Sequence, residues 1–267
     1  MSEKKQEKFE NAIDRESELV ELMSGVLSRT NAEYRQGVYV GGTVPDFYIV
    51  SPSTGSTSIF EVKAWEASPE NINRAQNLAQ KYVTASGADH AFIILEGLSS
   101  TDFSKGIVAP ADLGRVVESE EIKERRAPEG LPPIIGESPE RKIFAAMPFQ
   151  GHYDDTYFYA MQPAALHNNA QCIRVDYQRY SGDIVTKIKE LINDSVALIA
   201  DLSESRPNVF YEMGYAEGLN KPIVQICSTP IEEIPFDVRN NKTIPYNIGQ
   251  VSKLEPDLIT ELASILT

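Results

Sequence analysis

From residue 142 onward the chain alternates short apolar runs with helix-length amphipathic segments. That alternation restricts the second half of the molecule more than any other feature of the sequence. Residues 142–147, 171–176, 196–201, 222–227 and 243–246 read as strands, and 154–168, 182–194, 207–219 and 255–266 as helices. Strands that are apolar along their whole length are buried on both faces, and parallel neighbours need a crossover helix between them. The expectation is a parallel sheet of about five units with helices on both sides.

The first half has a different rhythm. A helix is expected over 7–27, with Phe9, Ile13, Val20 and Leu27 near one face. Three β-prone segments follow at 34–40, 46–51 and 58–63, separated by Gly41-Gly42 and by the turn-rich Ser51-Pro52-Ser53-Thr54-Gly55. A helix over 69–86 stops at Gly87, and an apolar strand over 90–96 completes a mixed sheet. Between the halves, residues 118–139 carry four prolines and two glycines after a charged stretch. The reading is therefore α/β throughout: a domain over 1–118, a linker over 119–139 and a domain over 140–267. For the second, the strand–helix alternation fits a flavodoxin-like or Rossmann-like sheet, with ligands bound beyond the carboxyl ends of the strands.

At 267 residues the chain is long enough for two cores. No run reaches the ~18 apolar residues of a membrane span, and the opening MSEKKQEKFE is charged where a signal peptide is apolar. A cytoplasmic protein without membrane attachment is expected. Cys172 and Cys227 sit in apolar runs with no metal-ligand spacing nearby and read as free thiols. The net charge of −14 divides into −6 over 1–126 (14 basic, 20 acidic) and −8 over 127–267 (11 basic, 19 acidic). Neither half is a broad cationic surface, so tight DNA binding by charge alone is excluded. An acidic site that holds a divalent cation is not excluded, since its carboxylates precede the metal.

The candidate chemistry of the first half lies in VPDFYIV and FEVKAW. Fourteen residues separate Asp46 from Glu61, and Lys63 follows Glu61 by two. Strand side chains alternate, so Glu61 and Lys63 share a face to which the neighbouring strand can present Asp46. Glu-x-Lys also serves as an ordinary ion pair on a solvated strand, but Ile59, Phe60 and Val62 make this strand half-buried, where a charge needs a reason. Two carboxylates and an ammonium at one point suit phosphodiester hydrolysis, with Mg²⁺ or Mn²⁺ on Asp46 and Glu61 and with Lys63 orienting or deprotonating the nucleophile. Pro45-Asp46…Glu61-Val62-Lys63 resembles the PD-(D/E)xK phosphodiesterases of restriction and repair. The resemblance implies a restriction-endonuclease-like α/β sandwich and a further acid from the preceding helix. Glu18 and Glu21, near one helical turn apart, are the candidates, with Glu18 entered as the third metal ligand. It also implies a glutamine after the motif that meets the site or substrate, for which Gln76 and Gln80 stand in the right region. Trp65 reads as rim packing rather than a base-stacking platform.

In the second half, Met147-Pro148-Phe149, Asp176 and Asp201-Leu202-Ser203 fall at the carboxyl ends of successive strands and open onto one edge. Pro207 suits the first position of a helix, which puts Asn208 and Glu212 on one face of its early turns, where the helix dipole is expected to keep Glu212 ionised. The stretch ALIADLSESRPNVFYEMGYAEGLNKPIVQI closely resembles the nucleoside 2-deoxyribosyltransferase-like and TIR-like group. The resemblance covers about residues 141–267. It implies Glu212 as nucleophile at a glycosidic carbon or as support for NAD⁺ cleavage, and Asp201 as its assistant. The bland alternative makes the same helix mainly packing, with Glu212 solvated at the rim. His90, His152 and His167 have no partner at useful spacing and read as structural or surface residues.

Three functional readings follow. In the first, Asp46, Glu61 and Lys63 cut DNA with Mg²⁺ while the second domain binds a nucleotide at Met147, Pro148, Phe149, Asp176, Asp201, Ser203, Asn208 and Glu212 and switches or recruits the nuclease. In the second, Glu212 cleaves a nucleoside, deoxynucleotide or NAD⁺ and the first domain targets nucleic acid. In the third, both domains are recognition modules. The partners expected are nucleic acid, DNA first, a nucleotide or nucleoside, and further copies of the chain or other members of a bacterial anti-phage defence complex, the setting the resemblances imply.

Overall fold

The structure, a computed structural model, describes residues 3–29, 33–41, 43–51, 55–118, 139–178, 183–239 and 241–266, with side chains from Arg15 onward. The chain forms two compact units, Ser2–Ser138 and Pro139–Thr267. Of the expected linker, 119–138 lie outside the described residues, as do Gly42, Pro52, Ser53, Thr54 and Gly182 from the expected turns and helix start. Both units are α/β.

In the first unit, helix α1 (Glu3–Leu27) precedes strands β1 (Glu33–Gln36), β2 (Phe47–Val50) and β3 (Thr57–Lys63), then α2 (Pro69–Ser86), β4 (His90–Leu95), β5 (Ile107–Val108) and α3 (Leu113–Glu118). The sheet order is β1-β2-β3-β4-β5, with the first two pairings antiparallel and the last two parallel. The sequence reading stopped at β4; β5 and α3 extend it. Val20, Met23 and Leu27 of α1 and Leu113 and Val116 of α3 pack on Phe47, Ile49, Phe60, Val62, Phe92 and Ile94. Each large side chain buried there stabilises the unit by about 1.5–3 kcal/mol relative to exposure. The intervening residues of β3 and β4 point to the other face, against which α2 packs.

Local chemistry fixes the ends of α2. Ser68 Oγ accepts from the Asn71 amide at 3.2 Å, Pro69 occupies the first turn, and Gly87, at φ 69°, closes the helix by donating to the Val83 carbonyl at 2.9 Å. Gly41, at φ +53°, lies against that helix end so closely that a Cβ would stand 2.3 Å from the Ala85 carbonyl oxygen. Gly41 is therefore seated on the C-terminus of α2.

In the second unit every strand pairing is parallel. β6 (Arg141–Ala146), β7 (Ala170–Ile173), β8 (Ala197–Asp201), β9 (Ile223–Cys227) and β10 (Thr243–Pro245) lie in the order β10-β9-β8-β6-β7. Counted within the unit, that is the flavodoxin-like order 2-1-3-4-5. A helical segment α4 runs from Asp154 to His167, and its middle turn, Tyr157–Met161, is π-helical. Pro163 supplies no amide to the ladder and crowds the carbonyl four residues back, which accounts for the widened turn before it. Helices α5 (Ile184–Asp194), α6 (Pro207–Gly218), α7 (Phe236–Arg239) and α8 (Leu254–Ile265) complete the unit.

Candidate functional site

Asp46 stands one residue before β2, and one step past the antiparallel pair Phe47–Phe60 it comes opposite Glu61. Residues directly opposite share a face. The Asp46 amide donates to Glu61 Oε2 at 3.2 Å, and the Val62 amide donates to Asp46 Oδ2 at 2.7 Å. Lys63 Nζ lies 3.0 Å from Glu61 Oε1. Glu61 and Lys63 are buried, at 3% and 4% exposure, while Asp46 is half-buried. Burial first, and then the negative charge of Asp46, push the Glu61 carboxyl up to about 7, with Lys63 only partly offsetting them.

The helix does contribute an acid, but it is Glu16. One Glu16 oxygen accepts from the Ala64 amide at 3.0 Å and the other lies 3.9 Å from Lys63 Nζ. Glu18, expected as the third metal ligand, is exposed, and so is its alternative Glu21. Glu16 lies four residues before Val20 and seven before Met23, on the stripe of α1 that packs on the sheet; Glu18 is turned well off that stripe. A carboxylate on an otherwise apolar stripe was the signal that would have found it.

Trp65 is half-buried, with the Arg74 guanidinium 4.3 Å over its ring, as rim packing requires. Gln76 and Gln80 line a cavity over the start of β4, and no contact joins either to Asp46, Glu61 or Lys63 among the hydrogen bonds described. Among the described residues no group of three or more His, Cys, Asp and Glu stands at metal-holding spacing.

The second unit gathers its polar residues around two centres at the carboxyl edge of the sheet. The first is Arg174, wholly buried just after β7, which sequence reasoning passed over. Its Nε and Nη2 donate to Asp176 at 2.6 and 2.7 Å, and Nη2 also reaches Asp154 at 3.1 Å. Nη1 lies 3.7 Å from Met147 Sδ, and the rings of Tyr177, Tyr157 and Phe149 surround the guanidinium at 4.4, 4.9 and 5.9 Å. Burial works against its charge, and Asp176, Tyr177 and Asp154 outweigh burial. Met147, Asp176 and Phe149 thus meet, with Pro148 buried beside them, but through an arginine within an apolar run.

Glu212 belongs to this region. It is 2% exposed, and among the described residues it accepts no hydrogen bond and forms no ion pair. Burial, and secondarily the charge of Asp176, push its carboxyl up to about 8. This corrects the expectation of an ionised Glu212. Glu212 is the sixth residue of α6, beyond the first turn where the dipole acts, so desolvation decides. Asn208, one turn earlier, is exposed.

The second centre is Asp201, the last residue of β8 and wholly buried. It accepts from Ser203 Oγ at 2.5 Å, from the Ser203 amide at 3.1 Å and from Tyr246 Oη at 2.6 Å. Ser203 Oγ in turn accepts from the Ser228 amide at 2.8 Å. Burial raises the Asp201 carboxyl to about 6 and these donors restrain the rise. Its two oxygens join the segments after β8 and β10, and Ser203 extends the link to the segment after β9. Beyond it, Glu204 and Ser205 hold left-handed backbone at φ 57° and 47°, and Glu204 receives Gln150, Tyr153 and Arg206.

Cys172 and Cys227 are free and buried, and no helix among the described residues is long and apolar enough to cross a membrane. No protein-family model matches the chain, and a search of curated proteins returned no match.

Proposed function

We propose that the chain is a cytoplasmic, divalent-metal-dependent nuclease of the PD-(D/E)xK kind, joined to a unit that binds a nucleotide or nucleoside and controls or recruits it. One observation carries the reading: Asp46, Glu61 and Lys63 meet at the end of β3, with Glu16 beside them, in a setting where two of the charges are almost wholly buried. Burying such groups costs stability unless they are paired, and a paired buried cluster is seldom better than an apolar one, so its presence favours a chemical task.

The donor set suits Mg²⁺ or Mn²⁺. Mg²⁺ is commonly held by one or two carboxylates, with water and substrate phosphate completing its shell. Asp46 and Glu61 would hold it, and the raised Glu61 carboxyl is the response of a buried acid that faces a second carboxylate. A bound metal would polarise the scissile phosphate and favour hydroxide formation. Lys63, beside Glu61, would orient the attacking water as an ammonium or, as the neutral amine, take its proton. The amides of Asp46 and Val62 fix the two carboxylates against each other before any ligand arrives. Glu16 holds the Ala64 amide and so the exit of the strand.

A second reading is favoured by Glu212, an unpartnered carboxyl that burial pushes up to about 8, which suits it to donate a proton to a leaving base. There the second unit cleaves a nucleoside, deoxynucleotide or NAD⁺. A role in bacterial anti-phage defence, and assembly with copies or partners, belong to the proposal through the sequence resemblances alone.

Purified protein incubated with plasmid and Mg²⁺, with and without NAD⁺, deoxynucleosides and cyclic nucleotides, tests both readings when strand cleavage and base release are followed together. Cleavage that disappears in Glu61→Ala and in Lys63→Ala, with circular dichroism unchanged, is the expected result. Undiminished cutting by either variant overturns the nuclease assignment. Base release lost in Glu212→Gln supports the second reading. Wild-type base release, binding and stimulated cleavage in that variant would leave Glu212 a packing residue.

A further inference from the structure

The first unit holds a cavity of about 420 Å³ that no part of the carboxylate cluster lines. Its walls come from α2, the start of β4 and the turn before β5, and include Gln76, Gln80, His90, Phe92, Phe103 and Lys105. The cavity exists because β5 is short: it pairs with β4 only at Ile93 and Ile94, which leaves His90–Phe92 without a strand neighbour on that side. We propose that this cavity is a nucleotide-binding subsite, taking an unpaired base with its phosphate.

Three features select that chemistry over an apolar ligand. Phe103, half-buried, stands edge-on to Phe92 at 6.2 Å and 89°, and supplies aromatic surface of the kind on which bases stack. Gln76 and Gln80 lie one turn apart on α2, and amide side chains offer the paired donor and acceptor that a base edge requires. Lys105 stands at the rim, tied only to Asp102 at 3.4 Å in a pair whose side chains are 52% and 39% exposed. Such exposed pairs are weak, so a phosphate competes readily for the ammonium. Asp89, the one acid of the lining, is already bound to the Thr57 amide at 2.6 Å and to its hydroxyl at 3.0 Å.

Position supports the same reading. His90 pairs with Ser58 in the parallel register, and Glu61 lies three residues further along β3. Three strand residues span roughly 10 Å. Stacked nucleotides are spaced by about 3.4 Å along one strand, so a base in the cavity would stand roughly three nucleotides from the carboxylate cluster. The proposal rests on the nuclease reading only for that spacing.

Titration calorimetry with dAMP, and fluorescence anisotropy with a labelled hexamer of single-stranded oligoadenylate, test it in the full chain with chelator and no metal. Saturable binding that weakens by about tenfold in Gln76→Ala/Gln80→Ala, whose side chains are partly or fully solvent-exposed, is the expected result. Lys105→Ala should weaken both probes, whereas a dAMP isotherm that is lost in Glu212→Gln and kept in Gln76→Ala/Gln80→Ala belongs to the second unit and overturns the proposal. Hexamer binding much tighter than dAMP assigns the subsite to a strand, and comparable affinities assign it to a free nucleotide. Absence of saturable binding by both probes, or binding equal to wild type in the double variant, overturns the proposal. Loss of cleavage in Glu61→Ala reports on the nuclease reading separately, because binding is read without metal.

Discussion

Glu61 and Glu212 are both buried carboxyls pushed upward, yet their surroundings differ. Glu61 has two compensating groups, the Asp46 amide and the Lys63 side chain, set against the charge of Asp46 across the strand pair. Glu212 has only the repulsion of Asp176, whose own partner is Arg174. The first arrangement is a carboxylate pair and an ammonium held together by backbone amides. The second is a lone carboxyl whose burial favours the protonated form. A raised pKa is therefore not one kind of signal; the company of the group determines the chemistry it can support.

The comparison breaks most sharply in activity. Glu61→Ala and Lys63→Ala should lower Mg²⁺-dependent cleavage by about 10²–10⁴-fold, the range for removing a catalytic acid, base or ligand, whereas Glu212→Gln should leave unstimulated cleavage untouched. Gel assays of linearised and supercoiled DNA read both. A nuclease loss in Glu212→Gln without ligand would erase the division of labour.

Stability gives the next largest effect. Because the folded-state value for Glu212 lies above its ordinary 4.5, the native protein retains a proton that the unfolded chain releases. Native stability from this group is then complete below about 4.5 and drains away as pH rises towards about 8. Glu212→Gln should melt near wild type at pH 5 and above it at pH 9, by an amount on the order of a few kcal/mol. Parallel pH profiles for the two proteins would refute the buried, unpartnered carboxyl.

Smaller still is the contrast within α1. Glu16→Ala should reduce cleavage by about tenfold, since it frees the Ala64 amide and loosens the strand exit, while Glu18→Ala should change nothing measurable. The reverse ranking would return the helix acid to Glu18. The least effect is thermal: millimolar Mg²⁺ should raise the melting temperature of wild type and of Glu212→Gln by about a few degrees but not that of Glu61→Gln, because only a native metal site couples to unfolding.

Much of this architecture could be read from the sequence wherever one local signal acted alone. Helix α2 begins at Pro69 and stops at Gly87 as expected, and the apolar strands of the second unit ordered a parallel sheet. Asp46, Glu61 and Lys63 were legible because alternation along β3 and a two-stranded register suffice to bring them together. What escaped needed distant partners. Glu16 interrupts an apolar stripe, and its purpose exists only once β3 ends beside it. Arg174 reads as an oddity in an apolar run until Asp154 and Asp176 close around it. The partners of Asp201, Ser203 and Tyr246, were not legible either; the Tyr246 bond spans 45 residues. Strand β5, two residues long, is below the length at which periodicity carries information.

Gly41 has a consequence for how this gene can vary. Its missing side chain is what lets the backbone at residue 41, five positions before Asp46, rest on the Ala85 carbonyl and the Ser86 backbone. In a saturation library selected for DNA cleavage, codon 41 should behave like an active-site codon, depleted of every replacement including alanine, although the residue carries no reactive group and stands five positions from the nearest carboxylate. Gly25 on α1, where an added methyl meets nothing within 4 Å, should accept alanine and be enriched. Two glycines sixteen codons apart would then carry opposite evolutionary signatures, one set by the need for an absence and the other by helix propensity.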